Sequence, residues 1–506
     1  MASPTRASTI LILLLLGGCG GGGKVTPPAE MPPVISSVSP QGLVGLVGAG
    51  VSFSADTAND PTSWRWHFAG GVTPTDVTEA SPHVSFTGKG MFSGTVVACN
   101  EAGCSASKAF SYQIGPNLQP RWLGSLELAS DPISAVGQSL DIALLADGTP
   151  VVAFLRVVPI GSQSAVAEVD LAVASAPAPD VSTPWEVQKV GELLNGNGDV
   201  VLSHHLGKIC LVTTGDPRLF VAKVPKPTNQ GDWDVSTLPE DFLLCEAVTY
   251  HDRLALVATQ YDVPVPRAAR IVVGVADPVA VPSFSDWRRS AFDVPNLNGR
   301  ALFVLSSGEL VLVESITNVA TIYRITDAVN PSGPSDWDSG PVPTHGGLSM
   351  ISSTPTGLTA YATEGDNVHI LAVIDQANSL RPKSLSDWGP TSPAVPISVA
   401  GTSLSAGDAH VVDGLMLEIV TVSAPGGGDS TLEIIAQLSA IPNSSTDYGF
   451  TSLIPRGYLD AATRPTWATR FVQATTDPSR LYVAYNTTFG SCCGDNGISI
   501  GFVQLR

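Results

Sequence analysis

One signature recurs from Trp122 to Tyr448: PRWLGSLEL (120–128), TPWEVQKV (183–190), GDWDVSTL (231–238), SDWRRSAFDV (285–294), SDWDSGPV (335–342), SDWGPTSPAV (386–395) and TDYGFTSLI (446–454). Each copy is an aromatic residue, usually after Asp, that opens a strand-like run. The aromatics are Trp122, Trp185, Trp233, Trp287, Trp337, Trp388 and Tyr448, and they stand 63, 48, 54, 50, 51 and 60 residues apart. A period near fifty residues implies one supersecondary unit stacked repeatedly, because no single unit of that size buries its own apolar face.

Between aromatics the same order returns: two runs joined by a tight turn, a third run, then a Pro/Ser-rich connection. The turns fall at Asp147-Gly148, Gly207, His251-Asp252, Ser307-Gly308, Thr356-Gly357, Asp413-Gly414 and Asp477-Pro478-Ser479. Gly and Asp give a two-stranded ribbon the local backbone it needs. The first unit reads LDIALL, VVAFLR, EVDLAVAS, WEVQKV. Four antiparallel strands per unit, seven times, describe an all-β, seven-bladed propeller over residues 116–506. The last unit, WATRFVQA, RLYVAY and GISIGFVQL, lacks its aromatic strand, whereas PRWLGSLEL lacks three partners. Pairing the two closes the ring and removes two free sheet edges.

Upstream of the ring, residues 34–115 alternate as short strands (VSFSAD, WRWHFAGG, HVSF, SGTVVACN, ASKAFSYQI), the pattern of a small β-sandwich. Trp64-Arg65-Trp66-His67-Phe68-Ala69-Gly70-Gly71 resembles the W-x-F-G-x-G core of PKD domains, an immunoglobulin-like family. Ala69 and Gly70 depart from that motif. The resemblance implies a spacer or binding module. Cys99 and Cys104 flank Asn100-Glu101-Ala102-Gly103, a hairpin turn that brings both thiols within bridging distance, and export favours oxidation.

Residues 1–19 read as an export signal, with Arg6 as the positive region and Ile10 to Leu16 as an apolar core too short to span a bilayer. Leu16-Gly17-Gly18-Cys19 resembles the bacterial lipobox, which implies acylation of Cys19. Gly20, where inner-membrane retention favours Asp, implies an outer-membrane or cell-surface destination. Several acyl chains hold firmly, since each buried CH₂ contributes roughly 0.8 kcal/mol. Residues 20–33 (GGGGKVTPPAEMPP) form a Gly/Pro tether.

The chain carries 26 Lys and Arg against 45 Asp and Glu, a net charge of −19. That balance disfavours nucleic-acid binding, which needs a basic footprint. With 49 Gly, 40 Pro and 14% charged residues, the composition suits many short strands and turns.

Ligands of propellers meet the face made by blade-to-blade connections and by the loop after each second strand. Here those segments are 191–199, 260–268, 296–300, 343–347, 423–430 and 487–496, which supply Tyr261, Asp262, Arg300, His345, Asp495 and Asn496. Cys492-Cys493 within GSCCGDNG reads as a rigid turn on that face, with a vicinal disulfide as one form. Cys210 and Cys245 read either as a bridge between blades or as two buried thiols. Asn195-Gly196-Asn197-Gly198-Asp199 alternates oxygen ligands as a calcium loop does, but Leu206 stands where the bidentate Glu belongs, so a glycine-rich turn fits better. His204-His205 has no carboxylate or Cys at ligand spacing. No metal or other cofactor is expected.

The S-D-W copies loosely resemble the Asp box of sialidase-like propellers but lack its Gly between Asp and Trp, so this supports fold, not activity. Arg300 and Arg464 reach the ligand face, yet no Arg triad, Tyr–Glu pair or paired carboxylates can be assigned. The sequence therefore leans away from an enzyme. It points to a membrane-anchored monomer whose propeller recognises a protein or glycan. A glycoside hydrolase or polysaccharide lyase, and a scaffold subunit of an envelope complex, are the competing readings.

Overall fold

The computed structural model describes residues 30–40, 42–115, 120–129, 139–159, 165–193, 199–214, 216–238, 246–261, 268–295, 297–316, 320–343, 348–353, 357–365, 370–377, 379–388, 395–397, 403–412, 415–423, 430–437, 448–452, 463–489 and 496–505. Among these, every regular element is a strand or a three-residue 3-10 turn.

Residues 34–115 form a sandwich. A six-stranded sheet holds Gly42–Leu46, Lys108–Gly115, Gly90–Asn100, Ser63–Phe68, Asp76–Val77 and Gly103–Cys104. Facing it are the pair Val34–Ser39 with Ser54–Ala58 and the triplet Gly50–Ser52, His83–Phe86 and Val72–Thr73. The core is aromatic: Phe53, Trp66, Phe68, Phe110 and Tyr112 are buried together. Its polar atoms are satisfied, Trp66 Nε1 donating to the Glu79 carbonyl at 3.0 Å and the Tyr112 hydroxyl to the Gly70 carbonyl at 2.6 Å. Gly71 has φ +70° and lies against the Phe92 ring, where any Cβ would clash. Cys99 and Cys104 are bridged across the hairpin, Cα atoms 4.0 Å apart, with Gly103 at φ +136°.

Seven four-stranded antiparallel sheets follow. Blade 1 is Leu140–Leu144, Pro150–Pro159, Ala165–Ala174 and Trp185–Leu193; blade 2 is Val200–His205, Lys208–Thr213, Arg218–Ala222 and Trp233–Thr237; blade 3 is Glu246–Tyr250, Arg253–Tyr261, Ala268–Ala276 and Trp287–Pro295. Blade 4 is Leu297–Val304, Leu310–Ile316, Ala320–Thr326 and Asp338–Val342; blade 5 is Leu348–Ser353, Leu358–Gly365, Ile370–Gln376 and Val395–Ile397. Blade 6 is Ser403–Val412, Leu415–Ser423, Ser430–Gln437 and Tyr448–Ser452. Blade 7 takes Thr463–Gln473, Arg480–Phe489 and Asn496–Gln504 from one end of the ring and Arg121–Ala129 from the other. Arg121 pairs with Gln504 and Leu126 with Ile500, so the expected closure is present. First strands of successive blades touch in order, and that of blade 7 touches that of blade 1. These first strands therefore encircle the central channel.

The signature now has a mechanical meaning. In blades 2 to 5 its Asp closes a 3-10 turn by accepting backbone N–H groups just upstream. Asp232 takes Thr228 and Asn229 at 2.7 and 3.1 Å, and Asp387 takes Lys383 and Ser384 at 2.8 Å each. Asp286 and Asp336 repeat this with Ser283 and Ser332, both at 2.7 Å. The turn aims the aromatic inward, but the indole does not chiefly cover its own blade, as its place at the head of an outer strand suggests. Trp233, Trp287, Trp337 and Trp388 each bury into a cluster shared with the preceding blade. Trp337 Nε1 donates to Ser290 Oγ of blade 3 at 3.0 Å, and Trp388 Nε1 to the Pro341 carbonyl of blade 4 at 2.9 Å. Trp122 and Trp185 pack likewise on clusters shared with blades 6 and 7. The side chain of Tyr448 lies outside the described residues.

Candidate functional site

The inner strand of each blade has one edge without a strand neighbour, and its N–H groups need partners. Side chains from adjacent blades supply them. Asp141 in blade 1 accepts the Leu202 N–H of blade 2 through Oδ2 at 2.7 Å and its neighbour Ile142 N–H through Oδ1 at 2.8 Å. Ser139 Oγ accepts Val200 N–H at 2.7 Å, and Thr249 Oγ1 of blade 3 accepts His204 N–H at 3.0 Å. Glu246, the first residue of blade 3, accepts the Leu302 N–H of blade 4 through Oε2 at 3.1 Å.

Glu246 differs from the others in its charged company. Burial pushes its carboxyl above the usual carboxylate range, while the fields of Arg300 and, more weakly, Arg470 pull it down. Arg300 lies on the inner strand of blade 4 and Arg470 on that of blade 7. An acid opening blade 3 is thus within electrostatic reach of guanidinium groups from its neighbour and from another blade of the ring. Moving outward along the seam between blades 3 and 4, Arg300 pairs in register with Glu314. Glu314 is fully buried and held by Arg324, Nε–Oε1 2.5 Å and Nη2–Oε2 3.1 Å. Arg324 in turn stacks over the Phe292 ring at 4.3 Å.

Glu246, Arg300 and Arg470 offer one carboxyl and two guanidinium groups on the first strands that encircle the channel. Such a set can accept from hydroxyls and donate to ring or carbonyl oxygens, the few convergent polar groups a small-ligand site needs.

Of the sequence-predicted site residues, Arg300 falls in this cluster, half-buried. Tyr261 ends the second strand of blade 3, and its side chain lies outside the described residues. His345, Cys492, Cys493 and Asp495 lie outside them altogether, as do Cys19, Cys245, Asp262 and residues 195–198. Arg464 lies on the first strand of blade 7, with its side chain likewise outside. Asn496 opens the third strand of that blade, paired with Thr488. Cys210 is a buried free thiol, pushed up to about 12 chiefly by burial.

Glu246 and Arg470 were not singled out by sequence. The available signal was slight: each is a charged residue in a run that otherwise reads as an apolar inner strand. His204 and His205 point to opposite sides, as strand alternation requires. His204 Nε2 bonds the Leu144 carbonyl of blade 1 at 2.8 Å and His205 Nε2 the Val279 carbonyl of blade 3 at 2.7 Å. Among the described residues no group of three His, Cys, Asp or Glu is placed to hold a metal ion.

No protein-family profile and no curated protein sequence matches the chain. Solved propeller structures do resemble it. A quinonprotein alcohol dehydrogenase-like protein from Bacteroides thetaiotaomicron is 11% identical, with 82% of this chain and 94% of that one covered at a TM-score of 0.36. The NanB sialidase of Streptococcus pneumoniae is 9% identical, covering 91% and 95% at 0.36. The Aleuria aurantia lectin is 12% identical, covering 65% and 98% at 0.34. Scores this low carry no argument about activity, and the propeller assignment stands on the seven sheets themselves.

Proposed function

We propose that the chain is an exported, lipid-anchored surface protein whose propeller binds a glycan in the channel, at the wall that carries Glu246, Arg300 and Arg470. The observation that carries this reading is that three first strands facing the channel, those of blades 3, 4 and 7, each place a charged residue there, with Arg300 and Arg470 both acting electrostatically on the Glu246 carboxyl. A sugar, rich in hydroxyls that both donate and accept, suits a mixed carboxyl–guanidinium set better than an apolar ligand does. The PKD-like sandwich and the tether at 20–33 serve as the spacer in this reading.

Two experiments test it. The purified protein is titrated with a glycan panel, and the best ligand is then measured against Glu246→Gln and Arg470→Met. Each variant is expected to weaken binding at least tenfold without changing the melting temperature by more than a few degrees. Full affinity in both variants rules out this site. Hydrolysis of a glycan that Glu246→Gln abolishes replaces binding with glycosidase activity. Separately, Cys19→Ala is expected to release the protein from the membrane fraction. Unchanged fractionation, with no labelled fatty acid on the wild type, rejects the anchor.

A further inference from the structure

The chain enters and leaves the sandwich at opposite ends. At one end the Asn100 side chain donates to the Met31 carbonyl at 2.8 Å, and that of Asn59 to the Pro32 carbonyl at 2.9 Å. Asn100 also donates to the Asn59 carbonyl at 2.8 Å, which joins the two clamps beside the bridged Cys99–Cys104 hairpin. The segment arriving from Cys19 is thus fastened at the hairpin end. Lys108–Gly115 runs away from that end, Lys108 pairing with Val96 and Ile114 with Gly90. The strand from Gly90 to Asn100 separates the two ends by about 30 Å.

The exit at Gly115 leads to one particular face of the ring. Only Pro116 to Pro120 stand between it and Arg121, a span of at most about 20 Å. Arg121 pairs with Gln504, and Gln504 with Arg480, the residue after the Asp477-Pro478-Ser479 turn. The Gln504 side chain also donates to the Ser479 carbonyl at 3.1 Å. The joint strand therefore starts on the face of the first-to-second-strand turns and runs to Ala129, near the other face. Because antiparallel strands alternate, the blade-to-blade connections and their channel mouth lie on that other face. The sandwich is not folded back along a blade: its buried cluster holds no ring residue, and among the described residues none of its strands packs closely on a ring strand. It is a strut, with the tether at one end and the turn face of the propeller at the other.

We propose that the sandwich holds the turn face toward the anchoring membrane, so that the channel opens outward between the blade-to-blade connections and takes a glycan presented from outside, not one belonging to its own membrane. This rests on the anchored, glycan-binding reading given above.

Spin labels test the strut in the full chain carrying Cys19→Ala. They are attached through p-acetylphenylalanine, which leaves the native cysteines untouched. One label replaces Ala102 at the hairpin tip, and the other replaces either Ala178 on the turn face or Glu192 at the opposite end of blade 1, all three exposed. The distance from residue 102 to residue 192 is expected to exceed that to residue 178 by at least about 15 Å, given the rise of the outer strand between them. Dyes at residues 178 and 192 of the lipid-anchored protein in vesicles then report energy transfer to acceptor-labelled headgroups, expected to be at least about twofold stronger from residue 178. Equal values or the reverse order in either measurement overturn the proposal. A chain that keeps the distance order yet stays off the vesicles rejects the anchor and with it the outward mouth, which separates that failure from a failure of the strut.

Discussion

Trp337 shows how much one side chain contributes to a blade seam. Its indole is buried among Phe292, Val294 and Leu302, edge-on to Phe292 at 5.6 Å between centroids, and donates to Ser290. Truncation to Ala removes apolar burial and also orphans a hydroxyl, so Trp337→Ala is expected to cost about 3–5 kcal/mol in urea unfolding. His205 is a second such residue, with a different dependence. Its Nε2–H donates to Val279 and its Nδ1 accepts the Leu254 N–H at 3.2 Å, so the fold uses the neutral ring. Burial depresses its pKa, and that of His204, below the unfolded value. The stability these rings contribute is therefore complete above about pH 6.5 and is lost as pH falls through their folded values. Asp170 acts in the opposite sense. Burial raises it to about 6 despite Arg156 at 2.6 Å, so its penalty at neutral pH is relieved on acidification. Urea midpoints at pH 7.5 and 5.0 should differ less in His205→Gln than in wild type, and more in Asp170→Asn.

At the scale of elements, the sequence carried the short-range features and, through its two complementary ends, the closing pair of strands, but not the side-chain contacts between blades. The His251-Asp252 turn is visible because both residues take the positive φ, +47° and +60°, that a tight ribbon requires. The signature is visible because Asp, aromatic and strand follow one another directly. Which blade each Trp packs against was not visible, since strand order alone does not give the direction in which an indole crosses a seam. Glu246 and Arg470 escaped for a related reason: they lie far apart in sequence, and only closure of the ring brings them within reach. The loops meant to carry Tyr261, His345 and Cys492-Cys493 lack a repeating pattern from which a local geometry follows.

For the whole molecule, the ring is a single closed object with one non-covalent joint. Gly501 sits beneath the Trp122 indole in that joint, where a Cβ would collide with the ring, and Gly124, at φ +141°, packs on Val181. Deleting residues 118–130 removes the joint strand, exposes an edge of Asn496–Gln504 and uncovers the apolar cluster under Trp122. Loss of cooperative thermal unfolding is expected. Deleting residues 34–115, which enclose a core of their own, should leave the melting temperature of the ring within a few degrees, as differential scanning calorimetry would show.

The joint also fixes an order of events. Arg121–Ala129 is made before any other strand of the ring and finds its partner, Asn496–Gln504, only after the other blades have been synthesised. Joining ends so distant in sequence adds loop-closure entropy and slows folding relative to the local hairpins. Until then the strand waits as a solitary amphipathic ribbon, its Trp122 uncovered. For a chain carried across a membrane from its N-terminal side, that interval spans the whole passage. Under the export proposed above, the ring shuts as the final act of delivery, and arrival of the last strand is the step that chaperones and proteases beyond that membrane would sense.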